Sequence, residues 1–319
     1  MQRRKFLVSS ALATAAAATT WPFHPLFAAP TAARKFKIEL SPGLIGVKAN
    51  FAQTLDYAIR YGYEAIHPFT HEVMKDYSAG QLNEMLAKMK AHNLSYGSIN
   101  IPVEYRQDEA KFREDLKGLK AFCQTMEKQK ASLINTWIFP SHPELTYNEN
   151  MRQHAQRLGE CAKIMKDHGI RLGLEYLGQR TTMNRNRYPF ISTLKETKEL
   201  IGAIGQPNVG VVLDSFHWYC ADETLADIRT LKGSDVTHVD LNDAREGFTR
   251  LTQVDGKREL PLATGVIPVK DFLQGLIDIG FAGPLRTEAF NQALNDLENE
   301  EALKADIGSV RKALALVGA

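Results

Sequence analysis

Cysteine is scarce in this chain. Cys123, Cys161 and Cys220 are the only three, far apart and without a CxxC spacing. They give neither a disulfide framework nor a thiolate zinc site, and they read as small buried apolar residues. An excess of one charge sign is also missing. The 39 Lys and Arg face 37 Asp and Glu, a net charge of +2, so nothing electrostatic argues for nucleic acid or an anionic membrane as partner. No GxGxxG turn follows the first strand-like run, which counts against a doubly wound dinucleotide fold. Linkers, low-complexity tracts and internal repeats are absent as well.

What is present begins with an export signal. MQRRKFLVSSALATAAAATTWPFHPLFAAP has a basic start, an Ala-rich apolar run and small residues at Ala28 and Ala29. The run is too short and too weakly apolar for a stable membrane anchor. Arg3-Arg4 followed by Lys5-Phe6-Leu7 resembles a twin-arginine signal, with an ordinary secretory signal as the alternative. Residues 1–29 are therefore expected to direct export to the periplasm, and residues 35–319 to form the working domain. Cleavage would remove three basic residues and no acid, leaving 36 basic against 37 acidic. The twin-arginine route carries folded proteins, so a metal loaded before export is compatible with it.

The rest of the chain alternates. Strand-like runs fall at 36–40, 64–69, 95–102, 131–139, 171–177, 208–214, 236–242 and 283–290, with amphipathic helical patterns between them. Gly62, Gly169, Gly205 and Gly280 stand where helix C-caps belong. Strands alternating with helices imply a parallel sheet. Eight such units in about 290 residues match a single (β/α)8 TIM barrel.

In a TIM barrel the C-terminal strand ends converge on one mouth. The fifth strand carries Glu175, the sixth Asp214, the seventh His238 and the eighth Glu288. Three carboxylates would repel one another there without a cation between them. Three carboxylate oxygens and an imidazole nitrogen suit one divalent ion, Mn2+ best, with Mg2+, Co2+ or Zn2+ as alternatives. The competing reading pairs these groups with Arg171, Arg245 or Arg286 instead. His67 ends the second strand and His142 follows the fourth; each is either a substrate contact or a satisfied loop histidine. Trp137, Trp218 and Tyr219 either stack on a sugar or cap the barrel.

GLEYLG around Glu175, LDSFHWY with Asp214 and His217, THVDLNDAREG with His238 and Arg245, and GPLRTEAF with Glu288 occur in this order. In these motifs the chain resembles the xylose isomerase-like TIM barrels, the sugar phosphate isomerase/epimerase group, over roughly residues 36 to 290. The resemblance implies that Glu175, Asp214, His238 and Glu288 ligate the metal, with Glu175 and Glu288 also acting as an acid/base pair. It implies that His217 touches a substrate oxygen and that Arg245 holds another. One departure stands at Ala263-Thr264-Gly265, where the family often has a Gly-Glu-Gly-like turn.

The expected activity is metal-dependent isomerisation or epimerisation of a sugar or keto-sugar, by proton abstraction next to a carbonyl. The alternative ends in elimination, as in cleavage of a 3-keto-glycoside. An endonuclease of the same fold is disfavoured because the loop EGFTRLTQVDGK (246–257) has no histidine. A non-catalytic sugar cup is disfavoured because both Glu175 and Glu288 are present. The expected partner is a small carbohydrate; a homo-oligomer stays open.

Overall fold

The eight aliphatic runs become eight parallel strands: β1 (Lys37–Leu40), β2 (Ala65–Ile66), β3 (in two pieces, Ser95–Tyr96 and Ser98–Asn100), β4 (Leu133–Ile138), β5 (Arg171–Tyr176), β6 (Val209–Asp214), β7 (Val236–Asp240) and β8 (Pro284–Arg286). The structure, a computed structural model, describes residues 33–69 and 77–319; the export signal expected at 1–29 lies outside them. β1 pairs with β2 and β8, and the ladder continues through β7, β6, β5 and β4. Closure falls at β3, whose first piece pairs with β2 and second with β4. Gly97 separates the two pieces, and a Cβ there would stand 1.9 Å from the carboxyl carbon of Glu39. Only glycine lets that acid side chain lie against the strand.

Helices follow the strands: α1 (Phe51–Tyr61), α2 (Ala79–Ala91), α3 (Glu109–Gln129), α4 (Tyr147–Lys166), α5 (Leu194–Ile204), α6 (Ser215–Cys220), α7 (Val269–Asp278) and α8 (Asn299–Ala315). Their starts are written locally: Asn50 with Gln53 and Ser78 with Gln81 close capping boxes. Their ends are too, since Gly62, Gly169, Gly205 and Gly280 all take left-handed φ between +66° and +76°. Strand residues on the face opposite Glu175, such as Leu172 and Leu174, are wholly buried, as are Phe272, Leu273 and Leu276 of α7. The barrel is thus one (β/α)8 domain, as its periodicity predicts.

Three local differences bear on the site. β2 and β8 are two and three residues long, so Glu288 sits two residues beyond its strand. The β6–β7 register shifts between Val236 and His238, which sets His238 opposite Val212 and Asp240 opposite Asp214. The segment after β7 folds back on itself, with Asp243 bridged to Glu259. The three cysteines are buried and unpaired. No described helix is long and apolar enough to cross a membrane.

Candidate active site

Four carboxylates meet at the mouth: Glu175, Asp214, Asp240 and Glu288, each with one oxygen within 4.8 Å of the others. Asp214 ends β6 and caps α6, its Oδ1 accepting from Phe216 N at 2.7 Å. That short turn explains why an acid follows VGVVL directly. Asn242 crosslinks two of the acids, donating from Nδ2 to Asp214 at 3.1 Å while its Oδ1 accepts from the backbone N–H of Glu288 at 2.8 Å. Beneath them, Thr237 fills the room left by Gly173, where a Cβ would lie 2.3 Å from Thr237 Oγ1.

The fourth member differs from the residue the sequence pointed to. His238 does not join the cluster; Asp240 does. Residues two apart on a strand share a face, and the register puts Asp240 level with Asp214 and His238 one step deeper. There His238 Nδ1 is 3.0 Å from Ser98 Oγ and 3.6 Å from Glu39 Oε2, while Nε2 is 3.3 Å from Asp240 Oδ1. The imidazole is wedged inside the barrel between Glu39 and Asp240.

Arg245, expected to hold a substrate oxygen, is not the arginine at the acids. It stacks on Phe248, 4.6 Å from the ring centroid, and the guanidinium at the acids is Arg258. From Nη1, Arg258 donates to Asp214 Oδ2 at 2.6 Å and to Glu288 Oε2 at 3.1 Å. Its Nη2 reaches His217 Nε2 at 3.0 Å and Asp255 Oδ1 at 2.7 Å. The fold-back of the loop delivers it: Arg258 precedes Glu259, the bridge partner of Asp243. Arg286 binds Asp240, Nε to Oδ1, at 2.7 Å. Of the arginines weighed as ion-pair partners, Arg286 alone takes that part, and Arg171 bonds to the backbone carbonyls of Ser234 and Val236.

The remaining expected residues divide. His217 is buried beside the acids, its Nε2 3.7 Å from Glu175 Oε1. A guanidinium only donates, so Nε2 accepts and the proton sits on Nδ1. What His217 touches here is Arg258. His67 stands one third exposed at the rim, Nδ1 4.0 Å from Glu39 Oε1. His142 lies outside the cluster; its Nδ1 accepts from the backbone N–H groups of Glu144 and Leu145, which makes it a loop-structuring residue. The Ala263-Thr264-Gly265 turn has its own acid partner, because Asp243 accepts from Thr264 N and Gly265 N.

Burial and mutual repulsion set the protonation pattern. Burial first, then the charges of Glu288, Asp214 and Asp240, raise Glu175 well above the ordinary carboxyl range. Glu288 is pushed up to about 8 by burial and by Asp240, with Arg258 and Arg286 opposing. Burial also works against ionisation of Asp240, but Arg286 and His238 outweigh it and hold its carboxyl low. His217 is lowered by burial and stays neutral, although Asp214 pulls the other way.

Comparison with known proteins agrees with the architecture. The family model of the xylose isomerase-like TIM barrel matches residues 55–313. An inosose isomerase of Halalkalibacterium halodurans is 24% identical over 259 residues, covering 80% of this chain and 88% of that protein. A xylose isomerase domain protein from Alicyclobacillus acidocaldarius superposes with a TM-score of 0.77 at 28% identity, covering 89% of this chain and all of the other. The IOLI protein, solved with a zinc atom, superposes at 0.74 with 20% identity over 88% of this chain and 98% of its own. The chain belongs to the xylose isomerase-like TIM barrel family.

Proposed function

We propose that this protein is a divalent-metal-dependent enzyme that isomerises or epimerises a sugar or keto-sugar by moving a proton next to a carbonyl. The observation that carries the reading is the pair Glu175 and Glu288, two mostly buried carboxyls within one cluster, raised out of their ordinary range and drawn from β5 and from beyond β8. Likeness to an inosose isomerase over 80% of the chain supports the substrate class.

The residues fit a divalent ion. Arg258 and Arg286 already offset Asp214 and Asp240, and a divalent cation would offset the charge that Glu175 and Glu288 gain on losing their protons. Glu175 Oε1 is buried without a hydrogen-bond partner, an acceptor left open within the cluster. Glu175, Asp214, Asp240 and Glu288 offer an all-oxygen set that suits a hard ion, Mn2+ or Mg2+, while His217 with Glu175 and Asp214 forms a second set that also admits Zn2+. Glu175, Asp214, Asp240 and Glu288 would hold it, and it supplies Lewis-acid polarisation of a carbonyl and its neighbouring hydroxyl.

The chain's own groups divide the proton work. Glu288 accepts from Arg258, so it ionises before Glu175 and is the base that takes the proton from the α-carbon. Glu175, raised by burial and by the neighbouring acids, with its Oε1 unpartnered, returns a proton. Two carboxyls pushed apart by their surroundings make an acid and a base of one residue type, titrating as a coupled pair. Neutral His217 fixes the guanidinium that keeps Glu288 the readier of the two.

Glu175→Gln and Glu288→Gln test this. Each keeps the side-chain shape and removes an acid/base group, so turnover and exchange of solvent deuterium into the substrate should fall about 10²-fold or more. Near wild-type rates in both variants would sink the two-carboxyl reading.

A further inference from the structure

The mouth has a side chamber that the acid cluster does not use. A cavity of about 320 Å³ opens at the C-terminal ends of β3 and β4, lined by Asn100, Glu104, Arg106, Lys111, Thr136 and Trp137, among others. Trp137 is the register partner of Glu175 across β4 and β5, so both side chains leave the same face of the sheet. A tryptophan is costly to leave in water, yet this one is 39% exposed.

Its surroundings hold it still. The Arg106 guanidinium stacks 4.4 Å from the indole centroid. Arg106 is itself held by Glu104 at 2.9 Å, by Thr136 Oγ1 at 3.0 Å and by the carbonyl of Trp137 at 3.3 Å. Tyr105 donates to the same carbonyl at 2.7 Å. One buried donor is left over: Arg106 Nε has no partner.

Charge narrows the ligand. Arg106 is neutralised by Glu104 and Lys111 by Asp115, at 2.9 and 2.8 Å. No cation here waits for a phosphate. An apolar aromatic face beside fixed polar forks instead suits a ring with carbon–hydrogen faces and hydroxyl edges. The volume, at the lower end of small-molecule pockets (about 300 Å³ upward), has room for one ring.

We propose that this chamber is a subsite for a second, neutral sugar ring, so that the substrate class is a disaccharide or other glycoside rather than a free or phosphorylated monosaccharide. This rests on the sugar-converting reading of the acid cluster. The part of the Trp137 indole left exposed beside the Arg106 stack provides the platform, and Arg106 and Glu104 bind the hydroxyl edge.

The test is calorimetric titration of the wild type, Trp137→Ala and Trp137→Phe with glucose, cellobiose, maltose, sucrose and glucose 6-phosphate. At least one disaccharide should bind the wild type about tenfold more tightly than glucose, the size of one aromatic stacking contact. Trp137→Ala should abolish that gain and move glucose affinity less than about twofold, while Trp137→Phe, which keeps an aromatic face, retains part of it. The subsite is overturned if no disaccharide gains over glucose, if the gain survives Trp137→Ala, or if glucose 6-phosphate is preferred. A disaccharide gain that depends on Trp137, with no solvent-deuterium exchange into any keto-sugar or keto-glycoside, would overturn the acid-cluster reading and leave the subsite standing.

Discussion

Arg258 donates to Asp214 at 2.6 Å with both side chains essentially inaccessible to water, at 1% and 0% exposure. The guanidinium lies 4.8 Å from the ring centroids of both Phe216 and Phe290. It is a fixed internal cation. With Arg286 on Asp240, two fixed guanidinium groups already offset part of the negative charge at the mouth.

Breaking this pair leaves a buried carboxylate uncompensated, which typically costs about 3–5 kcal/mol. Arg258→Met should lose stability of that order in urea unfolding. Arg258→Lys should recover only part, because an ammonium cannot serve Asp214, Glu288, His217 and Asp255 from one planar fork. A lysine variant as stable as the wild type would show that the fork geometry is not used.

Asp240, in place of His238, is expected to be the fourth oxygen donor. Asp240→Asn should lower bound Mn2+ after dialysis by tenfold or so, the size of effect seen when a metal site loses support. His238→Gln should leave the stoichiometry near one ion per chain. Elemental analysis of both variants decides between them, and the reverse pattern would restore His238 as the ligand.

Stability of the metal-free protein should depend on pH in a definite direction. Glu288 has its folded value raised from 4.5 to about 8. Its contribution is whole below pH 4.5 and is lost as pH rises through about 8. Glu175 is raised too and acts with the same sign. Melting temperature should therefore fall between about pH 5 and pH 8. Glu288→Gln should flatten that fall only partly, since Asp306 and Glu223 are raised to about 6 and about 7 in the same window. Added Mn2+ should restore more at pH 8 than at pH 5. A flat profile in the metal-free wild type would contradict the raised carboxyls.

Residues 1–29 carry their own test. If Arg3-Arg4 is read by the twin-arginine route, replacing the pair with Lys-Lys should leave uncleaved precursor in the cytoplasm, seen by fractionation and blotting. Undiminished export would assign the segment to the ordinary secretory route.

Much of this protein was legible without a structure. The short strand-like aliphatic runs, the period-3.6 helical patterns and the cap glycines are local signals, and they determine eight βα units and hence the barrel. Because strand ends converge in that fold, Glu175, Asp214 and Glu288 were identifiable one by one from where their strands stop. The level of a residue inside the barrel is not local. Placing Asp240 rather than His238 level with Asp214 required the β6–β7 register and its shift after Val236, which depend on packing between strands distant in sequence. Arg258 lies beyond β7 in an irregular loop with no periodicity to flag it, and only the return of that loop through Asp243 and Glu259 brings it to Asp214. The sequence determined which elements form and where the acids stand along them; the tertiary structure decided which groups share one depth in the mouth, because depth is set by register and loop return rather than by any residue's own neighbours.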